Sequence, residues 1–276
     1  MTNFVKRTLS GIGFAAIMFA AFLTNEYVYG VVMLLSLIVM MKEFLEMTCG
    51  SSYWYSQILS ILSGVTLFVL TYLFKGFDFP GRLVILCFIP VFLLMINSLY
   101  VKDKSRFDKF SNLYTAILYI AVPWSLLNFA VFNAAGDFSG LLLLSFFCII
   151  WGTDVGAYIF GITLGQKYGK KLFPSISPKK SWIGFWGGLF TAVLVAVLLH
   201  FLEILRFDLL HCIFIGILLC VSGVYGDLIE SQWKRHYEVK DSGNLIPGHG
   251  GLLDRFDSAL IAIPIGIIYL VVTNVL

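Results

Sequence analysis

Residues 146–165 read FFCIIWGTDVGAYIFGITLG, an apolar run with one ionisable side chain, Asp154, near its middle. About 20 mostly apolar residues, at 1.5 Å each, cross the hydrocarbon core of a bilayer as a helix. A lone carboxylate at that depth costs roughly 2.5–3.5 kcal/mol on insertion scales, so it normally faces a bundle interior or a wet cavity. Tyr158 and Gly161 follow at i+4 and i+7 and share its helix face. The stretch therefore predicts a membrane-spanning helix with a polar interior side.

The rest of the chain agrees. Apolar residues make up 59% of the 276 positions and charged residues 13%, against roughly 45–50% and 25% in soluble domains. Nine spans are predicted, roughly 9–24, 27–41, 56–74, 82–100, 113–132, 139–165, 182–202, 208–231 and 255–275. The first two are short and separated by Asn25-Glu26, which suits a tight hairpin. Backbone groups in lipid must be satisfied within each segment, and strict alternation is missing, so helices are expected and a β-barrel is not. The expectation is an all-α polytopic membrane protein, one membrane-embedded domain with N-terminal helices over 1–140 and a catalytic region over 141–276.

The basic residues orient it. With the N-terminus inside, 16 of the 19 Lys and Arg residues fall on the cytoplasmic side, among them Lys6, Arg7, Lys42, Lys102, Lys104, Arg106 and Lys167, and only Lys75, Arg82 and Arg206 fall outside. That bias predicts a cytoplasmic N-terminus and an external C-terminus. The five cysteines show no CxxC spacing and read as small core residues rather than a disulfide or thiolate-metal framework. No cleavable signal peptide is evident, and the compact length leans toward a bacterial inner membrane.

The polar residues cluster beyond residue 150. Gly152/Gly156, Gly161/Gly165 and Gly184/Gly188 are small-xxx-small pairs that read as close helix packing, and they would also permit a homodimer. GQKYGKKLFPSISPKKSWIGFWGG (165–188) is expected as a cytoplasmic loop entering a span. In it Ser177-Pro178-Lys179-Lys180 sets two cations after a rigid residue, and Ser181 is placed to cap the next helix. Serine, helix N-terminal amides and lysines together suit a phosphate.

The stretch YGDLIESQWKRHYEVKDSGNLIPGHGGLLDRFD (225–257) is richest. Asp227, Glu230 and Lys234 at i, i+3 and i+7 line one helix face, and Asp254 and Asp257 share a face on the next. Between them lie Lys240-Asp241 and a glycine-rich loop with His249 at its apex, whose amides could approach an anion closely. Hard cations such as Mg²⁺ take one or two carboxylates plus substrate phosphates, so carboxylates beside lysines at a membrane boundary suit metal-bound pyrophosphate chemistry. Zinc is not expected, since the cysteines lie elsewhere and no paired-His spacing exists.

These residues resemble the CDP-diacylglycerol synthases (phosphatidate cytidylyltransferases). The family signature runs here as Ser231-Gln232-Trp233-Lys234-Arg235, Lys240-Asp241, Pro247-Gly248-His249-Gly250-Gly251 and Asp254-Arg255-Phe256-Asp257, over 27 consecutive positions. Asp154, Ala157 and Tyr158, and Ser177-Pro178-Lys179-Lys180, also follow the family pattern. Trp233 stands where the family has an aliphatic, Met or Phe side chain, and Ile183 where it has a glutamate. The resemblance covers about 150–260, and the first 140 residues agree only as hydrophobic spans.

The resemblance implies attack of phosphatidate's phosphate on the α-phosphorus of CTP, giving CDP-diacylglycerol and pyrophosphate, with Mg²⁺ or a similar hard cation. It implies Asp227 and Asp254 as metal ligands, supported by Asp257. Lys234, Arg235, Lys240 and Arg255 would hold phosphates, and Ser177, Lys179, Lys180 and Asp154 would line the substrate site. Asp241 and His249 would organise the loop or relay protons. CTP would enter from the cytoplasm and the lipid tails would lie between helices among membrane lipids, with no nucleic acid partner. The rival readings are an isoprenoid-lipid cytidylyltransferase, a polyprenol kinase, and a secondary transporter coupled through Asp154 and Asp227. The complete signature argues against the kinase, and the clustering of polar motifs at one face argues against the transporter.

Overall fold

The computed structural model describes residues 3–101, 107–133, 135–166, 169–248 and 250–275, with side chains from residue 8 onward. His249, Lys167, Lys102, Lys104 and Arg106, and the side chains of Lys6 and Arg7, lie outside the described residues. The chain is an all-α polytopic membrane protein. Eight of its described helices are long and apolar enough to span a bilayer, and a shorter apolar stretch, Thr8–Leu23, lies in the helix before them. We number them α1 (Asn3–Leu23), α2 (Glu26–Cys49), α3 (Trp54–Gly76), α4 (Gly81–Tyr100), α5 (Phe107–Val131), α6 (Leu141–Gly165), α7 (Trp182–Phe201), α8 (Leu209–His236) and α9 (Leu253–Val272).

Each predicted span has its helix, and the differences lie at the ends. The α1–α2 turn is as tight as expected, because Asn25 caps α2 by accepting from the Val28 amide at 3.0 Å. Helix α2 does not stop at residue 41. The buried stripe Leu37, Met40, Met41, Phe44 and Thr48 continues at helical spacing and carries the helix through Lys42 and Glu43 to Cys49. The expected loop at 165–188 holds a two-stranded antiparallel hairpin, β1 (Lys171–Phe173) and β2 (Ser177–Ser181), with Phe173 paired to Ser177 and Lys171 to Ser181. Phe173 and Ser177 each precede a proline, which pushes both into extended backbone.

The chain forms two compact units, and residues 237–255 belong with the first. Unit 1 comprises Met1–Ser139 and Tyr237–Arg255, and unit 2 comprises Gly140–His236 and Phe256–Leu276. In unit 1 a buried polar chain ties α2, α3 and α5. The Tyr29 hydroxyl donates to Asn128 Oδ1 at 3.1 Å, and Asn128 Nδ2 donates to Thr71 Oγ1 at 2.9 Å and to the Phe68 carbonyl at 3.2 Å. Trp124 Nε1 adds a bond to the Met33 carbonyl at 2.9 Å. Between lipid-facing helices such bonds supply the specificity that apolar contact cannot, since lipid is as apolar as leucine.

In unit 2 the predicted glycine pairs do pack helices. A Cβ on Gly188 would meet the Thr153 carbonyl at 3.0 Å, and one on Gly184 the Ala157 carbonyl at 3.0 Å, so α6 and α7 touch through their backbones. The small residues that would permit a dimer are thus engaged within the chain. The cysteines are unpaired thiols, four buried and Cys148 half-buried, as core residues are.

Candidate active site

Within unit 2, a cavity of about 720 Å³ is walled by α6, β2, α7 and α8, with a contribution from α9. Asp154 and Tyr158 line it from α6, Lys179 and Lys180 from β2, and Asp227 from α8. Asp154 therefore has the cavity that its depth in the span requires. The lysines arrive because the hairpin ends directly at α7. Ser181 closes β2, and its hydroxyl accepts from the Gly184 amide at 3.2 Å, capping the helix as the sequence predicts.

The central contact is an ion pair, Lys180 Nζ to Asp227 Oδ2 at 2.5 Å, with the side chains 26% and 32% exposed. The other oxygen, Asp227 Oδ1, accepts from the Ser231 hydroxyl one turn later, at 3.1 Å. Ser231 thus orients the aspartate, a role its place in the signature did not disclose. On the same helix Lys234 pairs with Glu230, whose side chain is 1% exposed. The Asp257 carboxyl lies within electrostatic reach of Asp227, Asp154 and Lys234. Its proximity is set by Gly226, where a Cβ would come within 2.6 Å of the Asp257 carbonyl, so α8 and α9 approach backbone to backbone.

The remaining expected residues of unit 2 sit apart from the cavity wall. Ser177 begins β2 opposite Phe173 and does not line the cavity. Arg235 is exposed, and its Nε donates to the Ile176 carbonyl at 3.4 Å, bracing the hairpin turn. Ile183, which departs from the family's glutamate, is half-buried in the first turn of α7 and is not among the lining residues.

In unit 1, the glycine-rich segment is built around carboxylates. Asp254 Oδ2 accepts from the Gly251 amide at 2.7 Å and from both the amide and the hydroxyl of Ser242 at 3.0 Å. Glu43, which the sequence reading did not select, accepts from the Leu252 amide at 3.0 Å, the Leu253 amide at 2.8 Å and the Ser242 hydroxyl at 3.5 Å. The anion that the loop's amides were expected to cradle is thus the protein's own. The glycines permit it, since a Cβ at Gly243 or Gly251 would lie 2.6 Å from a Glu43 oxygen and one at Gly250, φ +82°, 2.6 Å from Asp254 Oδ2. Lys240, Asp241 and Arg255 are exposed. The loop's first residue, Tyr237, accepts from Asn112 Nδ2 at 2.8 Å, and burial pushes its phenol up while that bond opposes the shift.

The donor set suits a hard cation in one particular way. Among the described residues no three His, Cys, Asp or Glu side chains form a ready cage. Asp227 and Asp154 line the cavity and Asp257 lies within electrostatic reach of both, so they could supply carboxylate oxygens, and one or two of these completed by substrate phosphates and water is the usual arrangement for Mg²⁺.

Against known proteins, residues 5–273 match the sequence model of the Cytidylyltransferase family. The chain is 40% identical over 175 residues to a phosphatidate cytidylyltransferase of Bacillus subtilis (strain 168), covering 63% of each chain. It is 41% identical over 159 residues to a protein of the same name from Rickettsia bellii (strain RML369-C), covering 55% of this chain and 66% of the relative. The corresponding protein of Staphylococcus aureus (strain COL) is 40% identical over 174 residues, or 62% of this chain and 64% of its own. The chain thus spans just under two thirds of these relatives' lengths.

Proposed function

The chain belongs to the cytidylyltransferase family, and on that premise we propose that it transfers the cytidylyl group of CTP to phosphatidate, forming CDP-diacylglycerol and pyrophosphate. A phosphate oxygen of phosphatidate forms a bond to the α-phosphorus of CTP, the bond to the β-phosphate's bridging oxygen breaks, and pyrophosphate leaves. Such a transfer needs alignment and charge neutralisation more than a protein nucleophile.

The observation that carries this reading is the cavity among membrane-spanning helices that Lys179, Lys180, Asp154 and Asp227 line together, with Lys180 paired to Asp227. The two ammonium groups neutralise phosphate charge and hold the substrates in line. Asp227, fixed by Lys180 and Ser231, and Asp257 would hold Mg²⁺ or a similar cation, which when bound supplies further positive charge to the pyrophosphate. Asp154 keeps the inner wall polar. The apolar neighbours Ile162 and Phe185 suit the start of the acyl chains, and the names of the relatives support phosphatidate as the acceptor.

The distribution of Lys and Arg, 16 against 3 across the spans, supports a cytoplasmic N-terminus and a site opening to the cytoplasm, where CTP is. The bacterial relatives support a bacterial membrane, and the inner one is where CTP and lipid meet.

The test is to incubate the purified protein in detergent with CTP, phosphatidate and Mg²⁺ beside a chelated control, and to follow pyrophosphate and CDP-lipid. Metal-dependent formation of both in equal amounts is expected. Release of CDP with a newly phosphorylated lipid would replace the reading with a kinase, and no turnover of any lipid phosphate would refute it.

A further inference from the structure

We propose that Glu43 is a positioning residue for this reaction, setting the start of α9 and the segment before it so that the acidic residues of that helix are presented correctly. The inference rests on the cytidylyl-transfer reading for its assay and on geometry for its content.

Glu43 is 6% exposed, on the stretch of α2 that runs past the apolar span. Its side chain is acceptor-only when ionised, with two oxygens to satisfy. One oxygen takes the Leu252 amide and the other takes the Leu253 amide and the Ser242 hydroxyl. Leu253 opens α9, so Glu43 supplies from a distant helix the acceptor that a local capping residue usually gives. A negative charge there also complements the helix dipole.

The neighbouring donors are equally committed. The Gly251 amide serves Asp254, and Ser242 divides its hydroxyl between Asp254 and Glu43. Three successive amides, of residues 251 to 253, are therefore held by two carboxylates from different parts of the sequence. Gly243 and Gly251 leave no room for a side chain against Glu43. This is a fitted joint, and what it fixes is the entry into the helix that carries Asp254, Arg255 and Asp257.

Removing the carboxylate leaves the Leu252 and Leu253 amides without acceptors and lets that entry shift. A displacement of about 1 Å near reacting groups can cost roughly a hundredfold in rate. The expected result for Glu43→Ala is a fall in kcat of roughly ten- to a hundredfold with KM for CTP changed less than threefold, because the lysines of the cavity are untouched. Glu43→Gln keeps one oxygen and the side-chain volume, and should recover part of kcat.

Hydrogen–deuterium exchange separates positioning from general stability. In Glu43→Ala, amides of the 238–255 segment should exchange faster while those of α3, α6 and α7 keep the wild-type rate. Wild-type kcat in Glu43→Ala would overturn the proposal, as would equal acceleration of exchange in all helices or no recovery with Gln. An inactive wild-type protein would instead refute the reaction assigned above, and the exchange data would still decide whether Glu43 holds the segment.

Discussion

Replacing Gly226 by alanine sets two effects of opposite sign against each other. In an isolated helix the change is favourable by roughly 0.8–1 kcal/mol. Here the new methyl would lie 2.6 Å from the Asp257 carbonyl oxygen, 3.0 Å from Ser258 Cα and 3.1 Å from the Ser258 carbonyl oxygen. All three are backbone atoms and cannot rotate away. Reaching an ordinary contact of 3.4 Å requires α8 and α9 to part locally by about 0.8 Å.

Overpacking typically costs about 1–3 kcal/mol, and obstruction by backbone belongs at the upper end. The clash therefore wins by roughly 1–2 kcal/mol, a fall in melting temperature of about 2–8 °C. Turnover should fall roughly ten- to a hundredfold, because the same shift separates Asp227 from Asp257. The assay is melting followed by tryptophan fluorescence in detergent, with turnover measured on the same preparation. Gly223→Ala is the control. Its methyl would meet only the Ser258 and Ala262 Cβ atoms, at 3.7 and 3.8 Å, so it should be neutral or mildly stabilising. A Gly226→Ala protein that melts higher and turns over normally would refute the close α8–α9 approach.

Lys180→Met should lower turnover roughly a hundredfold, the usual scale for removing one preorganised charge donor, and Lys180→Met with Asp227→Asn should be no worse than either alone. Additive losses in initial-rate assays would show that the 2.5 Å pair does not act as a unit. Asp254→Asn should abolish turnover while membrane insertion persists, because an amide nitrogen would replace or crowd an acceptor that now serves three donors. Near-normal turnover by the purified variant would defeat the role given to that carboxylate.

What the sequence disclosed and what it concealed follow from range. Spans, the Ser181 cap and the glycine contacts of α6 with α7 depend on neighbours or on helix periodicity, and all were legible. Asp154 was legible because a charge inside an apolar run needs a cavity, and it has one. The hairpin at 171–181 was missed because its strands are three and five residues long, too short for a pattern. The two prolines were the available cue.

Glu43 was hidden for a different reason. Lys42, Glu43 and Glu46 look like the polar end of a span, although Phe44 and Thr48 continue the buried stripe. Its partners lie 209 and 210 residues away, a pairing no local pattern encodes. The same distance misdirected the reading of the glycine-rich loop. The need for an anion was visible in the glycines, but its source on α2 was not.

That separation also sets an order of events during synthesis. At about 5–20 residues per second, a ribosome that has just made Glu43 needs roughly 10–40 s to reach Leu252. Helix α2 must therefore wait at the membrane with a carboxylate whose eventual donors do not yet exist, and residues 237–255 can dock against it only after eight helices have been made. A chain stalled or truncated before Leu252 would keep α1 to α8 and lose both α9 and this closure.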